Sequence, residues 1–256
     1  MRYFIHLAYN GKNYFGWQRQ PNAISVQSTL ENAFSLLLKT PISIVGAGRT
    51  DTGVHAKNFY AHFDTSIHIK KNECEQLAYR LNAFLPADIV IFSIFEVSPE
   101  AHARFDAQIR TYNYYITTTK NPFNIENTYH FYRPLNIEKM NEACKKLFKY
   151  NDFTSFSKVH TQNKTNLCTI KQAQWYFSKE GLLVFEISAN RFLRNMVRAI
   201  VGTLLEVGQE KCSIEDFCKI IEEKNRCKAG ISVPAHALYL SDIVYPKSIF
   251  QTTASK

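Results

Sequence analysis

A chain of 256 residues, 45% apolar and 21% charged, is long enough for one large domain or two modest ones and has the composition of an ordinary soluble globule. Its formal net charge of +9 and pI of about 9.2 point to a polyanionic partner, nucleic acid before a membrane surface. The six cysteines (Cys74, Cys144, Cys168, Cys212, Cys218, Cys227) form no C-x-x-C pair, and no histidine stands at zinc-finger spacing from a cysteine pair, which argues against structural zinc and fits a reducing cytoplasm. The opening Met1-Arg2-Tyr3-Phe4-Ile5-His6 reads as a strand and not as a signal peptide, and no run approaches the roughly twenty apolar residues of a membrane span.

In chain order, Arg2 to Tyr9 alternates Tyr3, Ile5, Leu7 and Tyr9 on one face, the period of a half-buried strand. Asn10 to Pro21 is a loop in which Trp17, beside Arg19, either reaches nucleic acid or folds back onto the core. Ser25 can cap a helix to about Lys39, with Val26, Leu30, Ala33, Phe34 and Leu37 on one stripe. A strand follows at Ile42 to Ala47 and another at Lys57 to Asp64. Asn72 is expected to cap a second helix to about Ala83, before a strand at Asp88 to Val97. The order strand, helix, strand, strand, helix, strand is that of a ferredoxin-like split β-α-β fold. The second half repeats it, with a tyrosine-dense strand at Gln108 to Thr118, a helix capped by Asn136, and strands at Cys168 to Ser178 and Leu182 to Ala189. Helices at about Phe192 to Val207 and Ser213 to Glu223 and a last strand at Ala237 to Val244 complete it. A polar loop near Asp152 to Leu167 carries Lys158, His160 and Lys164. The boundary falls near Ser98 to Ala107, so the expectation is an α+β protein with halves at 1–103 and 104–246 and a frayed tail at 247–256.

Chemistry concentrates in three stretches. The first is the loop Gly46-Ala47-Gly48-Arg49-Thr50-Asp51-Thr52-Gly53-Val54-His55-Ala56, too polar for a core strand yet flanked by apolar segments. It places one carboxylate, Asp51, two residues from Arg49 and four from His55, and a dense turn between strands is where a scaffold displays function. The second runs from Arg104-Phe105 through Arg110-Thr111-Tyr112-Asn113-Tyr114. The third is Asn190-Arg191-Phe192-Leu193-Arg194-Asn195-Met196-Val197-Arg198, where a helix would put Arg191, Arg194 and Arg198 on one face, to bind phosphate or answer a carboxylate.

Two other readings compete. Asp51-Thr52-Gly53 is also the tripeptide of aspartic proteases, which need two aspartates sharing a proton; no second such tripeptide occurs, and Arg49 opposes the sharing. A non-catalytic RNA-binding module of RRM type explains charge, aromatics and strand order, but not a carboxylate set inside a basic loop.

With Phe15-Gly16-Trp17-Gln18, Gly202 and the ending Leu238-Tyr239-Leu240 to Tyr245-Pro246, these three stretches closely resemble the tRNA pseudouridine synthases of the TruA family over nearly the whole chain. The loop Gly48 to Ala56 is the most specific part, and Ala237 departs from a frequent glycine. The resemblance implies an isomerase converting uridine to pseudouridine at positions 38, 39 and 40 of the tRNA anticodon stem-loop, without metal or organic cofactor. It implies a homodimer whose ferredoxin-like halves form one extended mixed, mainly antiparallel sheet, with helices on one face and the active-site cleft on the other. By position it makes Asp51 the catalytic aspartate, Arg198 its ion-pair partner, Tyr112 the ring stacked on the target base and Arg49 the residue that holds or replaces the flipped nucleotide. Arg110, Arg191 and Arg194 would bind substrate. His55 either contacts RNA or packs beneath the loop, and packing is the favoured reading.

Overall fold

The computed structural model describes residues 1–158 and 165–250. Among these, five α-helices and nine strands give an α+β fold. Contacts divide the chain into two compact units, residues 1–108 with 240–256, and residues 109–239. His160, Lys164 and the last six residues of the expected tail lie outside the described residues.

The first unit contains β1 (Arg2–Tyr9), α1 (Val26–Leu38), β2 (Ile44–Gly46), β3 (His55–Asp64), α2 (Lys71–Phe84) and β4 (Ile89–Val97). Its strands run in the order β4-β1-β3-β2, with antiparallel pairing throughout. β3 therefore lies between β1 and β2, which are joined by α1, the split β-α-β arrangement. The last strand, β9 (Leu238–Val244), belongs to this unit from Leu240 onward and lies beside β3.

Local rules account for most of these boundaries. Ser25 caps α1 with a capping box, its Oγ accepting the Ser28 N–H, worth about 1 kcal/mol. Lys39 ends the helix in the left-handed region (φ 53). Lys70, and not Asn72, stands at the cap of α2: the Glu73 carboxylate accepts the Lys70 N–H at 2.7 Å, which draws the first turn back by two residues. On one face of the sheet Tyr3 stacks on Phe63, which Phe34 of α1 meets edge-on at 5.0 Å. On the other, Phe4 touches Phe95 and Tyr245. Lys247–Phe250 is a 3-10 turn and not a frayed end, because Phe250 packs on Tyr60, Phe95 and Tyr245.

The second unit contains β5 (Ile109–Thr117), the two-residue β6 (Tyr129–His130), α3 (Ile137–Leu147), β7 (Ile170–Phe177), β8 (Leu183–Ala189), α4 (Met196–Gly208) and α5 (Ile214–Glu222). β8 is antiparallel to both β5 and β7, and β6 adds a short parallel pairing to β5. Asn136 caps α3 as its sequence position predicts, accepting the Lys139 N–H. α4 is buried on nearly every turn, which its apolar run Ala199-Ile200-Val201-Gly202-Thr203-Leu204-Leu205 requires.

One buried imidazole couples the first unit to pH. His62 on β3 is 3% exposed, and its Nδ1 accepts the Ala103 N–H at 3.1 Å, which needs the neutral ring. Burial, with Arg2 and His102 adding to it, lowers its pKa to about 4. A folded pKa below the unfolded one gives stability that is present above about pH 6.5 and is lost as pH falls toward 4, at most about 3 kcal/mol. His62→Gln is therefore expected to flatten the decline of the urea midpoint between pH 6.5 and 4 relative to the unsubstituted protein; parallel declines would refute the assignment.

Candidate active site

The Asp51 loop is held from beneath by the segment that follows β1. Gly46 ends β2 directly under Trp17, where a Cβ would stand 2.4 Å from the indole. Trp17 is 3% exposed and lies 4.2 Å from Phe59, so this side chain folds back onto the core. Its backbone N–H donates to the Thr50 carbonyl at 3.3 Å. Gly16, at φ +85, must be glycine, since a Cβ would stand 2.3 Å from that same oxygen. The Tyr14 carbonyl accepts the Gly53 N–H, and the Asp51 carbonyl accepts the Val54 N–H at 3.1 Å, closing the turn. His55 is 2% exposed and its Nδ1 accepts the Gly11 N–H at 3.1 Å, so it packs beneath the loop as expected.

The result is a short alternation. Thr50 is buried, Arg49 is exposed and Asp51 is half-buried. Arg49 and Asp51 therefore flank a side chain that points inward, on a backbone clamped at residues 50, 51, 53 and 54. The sequence does not single out Thr50, nor the partner of its hydroxyl, Tyr9, whose phenol oxygen lies 2.9 Å from Thr50 Oγ1. No signal in the sequence flags the pair, because the exposure pattern through 49–51 arises only in the folded loop and the two hydroxyls stand 41 positions apart.

The remaining candidate residues belong to the second unit. Tyr112 sits on β5 opposite Ile187 of β8, half-buried, with its ring perpendicular to Phe192 at 5.1 Å. Arg110 Nη1 donates to the Asn190 carbonyl at 2.8 Å. The expected arginine face of a helix from Phe192 is not formed. Asn195 takes the left-handed conformation (φ 67), the Met196 N–H turns back to the Leu193 carbonyl, and α4 starts only at Met196. Arg191 and Arg194 thus precede the helix, half-buried and exposed respectively, and Arg198 alone stands on it. Arg198 Nε donates to the Val233 carbonyl at 2.7 Å and its own carbonyl accepts the Val233 N–H, which fixes the direction of the guanidinium. Among the described residues no group of three or more His, Cys, Asp or Glu side chains is arranged to hold a metal ion, and no helix is long and apolar enough to cross a membrane.

A family model described as tRNA pseudouridine synthase matches residues 6–106 and 143–246, taking in the whole Asp51 loop and the stretch that carries Arg198. The chain belongs to the tRNA pseudouridine synthase family. It is similar along almost its entire length to members named tRNA pseudouridine synthase A. That of Parabacteroides distasonis is 58% identical over 250 residues, covering 97% of this chain and 98% of the relative. That of Bacteroides fragilis is 54% identical, covering 98% of each. At greater distance, the protein of Limosilactobacillus reuteri is 39% identical over 95% of this chain and 96% of its own.

Proposed function

We propose that this chain isomerises uridine to pseudouridine in tRNA, at positions 38, 39 and 40 of the anticodon stem-loop, with Asp51 as the catalytic carboxylate. The observation that carries the reading is the loop of a tRNA pseudouridine synthase family member in which Thr50, Gly53 and Val54 are hydrogen-bonded in place around a half-buried Asp51. The reaction breaks the N1–C1′ glycosidic bond, turns the uracil, joins C5 to C1′, releases the C5 hydrogen as a proton and returns a proton to N1. A carboxylate serves this chemistry as nucleophile at C1′ or at C6, or as the base that removes the C2′ proton.

The other residues take supporting parts. A target base in a stem must leave its stack, at a cost of a few kcal/mol. In this reading Arg49 holds the extruded nucleotide or fills its place. Tyr112 stacks on the uracil, a flat surface that lets it rotate without locking one orientation. Arg198, its guanidinium already oriented by Val233, is in this reading the ion-pair partner of Asp51. Arg110, Arg191 and Arg194 contact phosphates, part of the binding that the net charge of +9 supports. The enzyme works in the cytoplasm as a homodimer of chains with two ferredoxin-like halves.

The test follows release of labelled hydrogen from C5 of uridine in tRNA transcripts, for the unsubstituted protein and Asp51→Asn. Release by the former alone is the expected result. Tight tRNA binding by both with release by neither would make the chain an RNA-binding module.

A further inference from the structure

Beneath Asp51 lies a buried pair of hydroxyls, one from the end of β1 and one from the loop itself, that the chemistry above leaves without a role. Tyr9 is the last residue of β1 and is 4% exposed, its ring against Phe59 at 5.6 Å and Trp17 at 6.1 Å. A phenol hydroxyl carried that deep is costly unless it finds a hydrogen-bonding group. It finds Thr50 Oγ1 at 2.9 Å, on a residue itself only 8% exposed. Threonine is stiff at χ1, so holding its Oγ1 holds its Cα–Cβ bond and with it the peptide that joins Thr50 to Asp51.

The same residue is gripped a second time. Its carbonyl accepts the Trp17 N–H, and Gly16 approaches so closely that no side chain fits between them. Beyond Asp51 the chain is closed by the Val54 N–H on the Asp51 carbonyl. Side chain, carbonyl and following turn together bracket the backbone of the carboxylate-bearing residue. Reactions that need a carboxylate at one face of one sugar or base lose rate steeply when it is misplaced by an ångström.

We infer that Tyr9 and Thr50 form a positioning pair for Asp51: their hydroxyl–hydroxyl contact aims the carboxylate and contributes to turnover, not to tRNA affinity. The inference rests on Asp51 being the catalytic carboxylate.

Four variants test it over a range of tRNA concentrations up to saturation, with C5 hydrogen release giving kcat and KM: Tyr9→Phe, Thr50→Val, Thr50→Ser and the Tyr9→Phe/Thr50→Val double. Tyr9→Phe and Thr50→Val are each expected to lower kcat by about 10- to 100-fold with KM within about threefold, since both keep ring or volume and remove one hydroxyl. Thr50→Ser restores the hydroxyl and is expected within about threefold to fivefold of the unsubstituted kcat. The double variant is expected to be no slower than the slower single, because both changes remove one contact. Should Tyr9→Phe not fold, the contrast of Thr50→Val with Thr50→Ser decides. Unchanged kcat in Thr50→Val, losses confined to KM, or single losses that multiply in the double would overturn the inference. These results are read only with an active unsubstituted protein and an inactive Asp51→Asn. Absence of release by the unsubstituted protein would overturn the reading of Asp51 and this inference together, whereas active enzyme with unimpaired variants would overturn this inference alone.

Discussion

Asp51→Asn is expected to lower single-turnover pseudouridine formation by at least about 10³-fold while tRNA affinity stays within about threefold or rises. The size follows from the part assigned to the carboxylate. Removing a group that attacks substrate or takes its proton typically costs several orders of magnitude, and 10³ corresponds to about 4 kcal/mol of barrier. Asparagine keeps the shape of the side chain, and the anchors of the loop at Thr50, Gly53 and Val54 are backbone or belong to neighbours, so those anchors stay in place. The affinity side follows from charge. The substitution removes one negative charge from a surface that must approach phosphates, on a chain whose net charge is already +9, so binding has no electrostatic reason to weaken. Single-turnover rates and filter-binding affinities on the same transcript separate the two effects. Turnover within tenfold of the unsubstituted protein would remove Asp51 from the chemistry. A fall in affinity that accounts for the whole loss would make it a binding residue.

Local signals make much of this molecule legible in its sequence. The strand Arg2–Tyr9 shows in its alternation, the Ser25 and Asn136 caps in bonds spanning three residues, and the loop around Asp51 in its dense glycines and charges. What escaped reading depends on partners far along the chain or on one residue's backbone. The arginine face beyond Asn190 fails because Asn195 adopts φ 67, and asparagine is a residue that tolerates this without announcing it. The start of α2 shifts because the carboxylate of Glu73 reaches back to Lys70, a capping interaction that outcompetes Asn72. The Tyr9–Thr50 contact joins residues 41 positions apart, so no window of sequence contains it. Trp17 had two open fates because its burial depends on a gap over Gly46, which only the paired β2 and β3 create. The candidate residues themselves were legible as types and as motifs; their supports were not.

Gly202→Ala should be the most damaging change of a single hydrogen to a methyl in the second unit. In an exposed helix this substitution stabilises by about 1 kcal/mol, because alanine is the better helix former. Here a Cβ on Gly202 would stand 1.8 Å from the carbonyl oxygen of Ile231, and backbone cannot swing aside as a side-chain tip does. The segment it meets is fastened on both sides of the clash. The Gly230 N–H donates to Thr203 Oγ1 at 2.9 Å, Arg226 donates to the Ala229 and Gly230 carbonyls, and Val233 exchanges two hydrogen bonds with Arg198. Overpacking of this kind costs about 1–3 kcal/mol when side chains absorb it, and more when several backbone hydrogen bonds must stretch. The clash therefore outweighs the propensity gain, and the net loss should be about 2–4 kcal/mol, a fall of roughly 5–15 °C in melting temperature for a domain of this size. Displacing the 230–233 segment also removes the carbonyl that orients the Arg198 guanidinium, so the folded fraction should lose turnover as well, at temperatures well below its melting point. Thermal unfolding and kcat measured on one preparation check both halves. A melting temperature equal to or above that of the unsubstituted protein would show that α4 and the 230–233 segment do not approach as closely as described, and the fixed direction of Arg198 would fall with them.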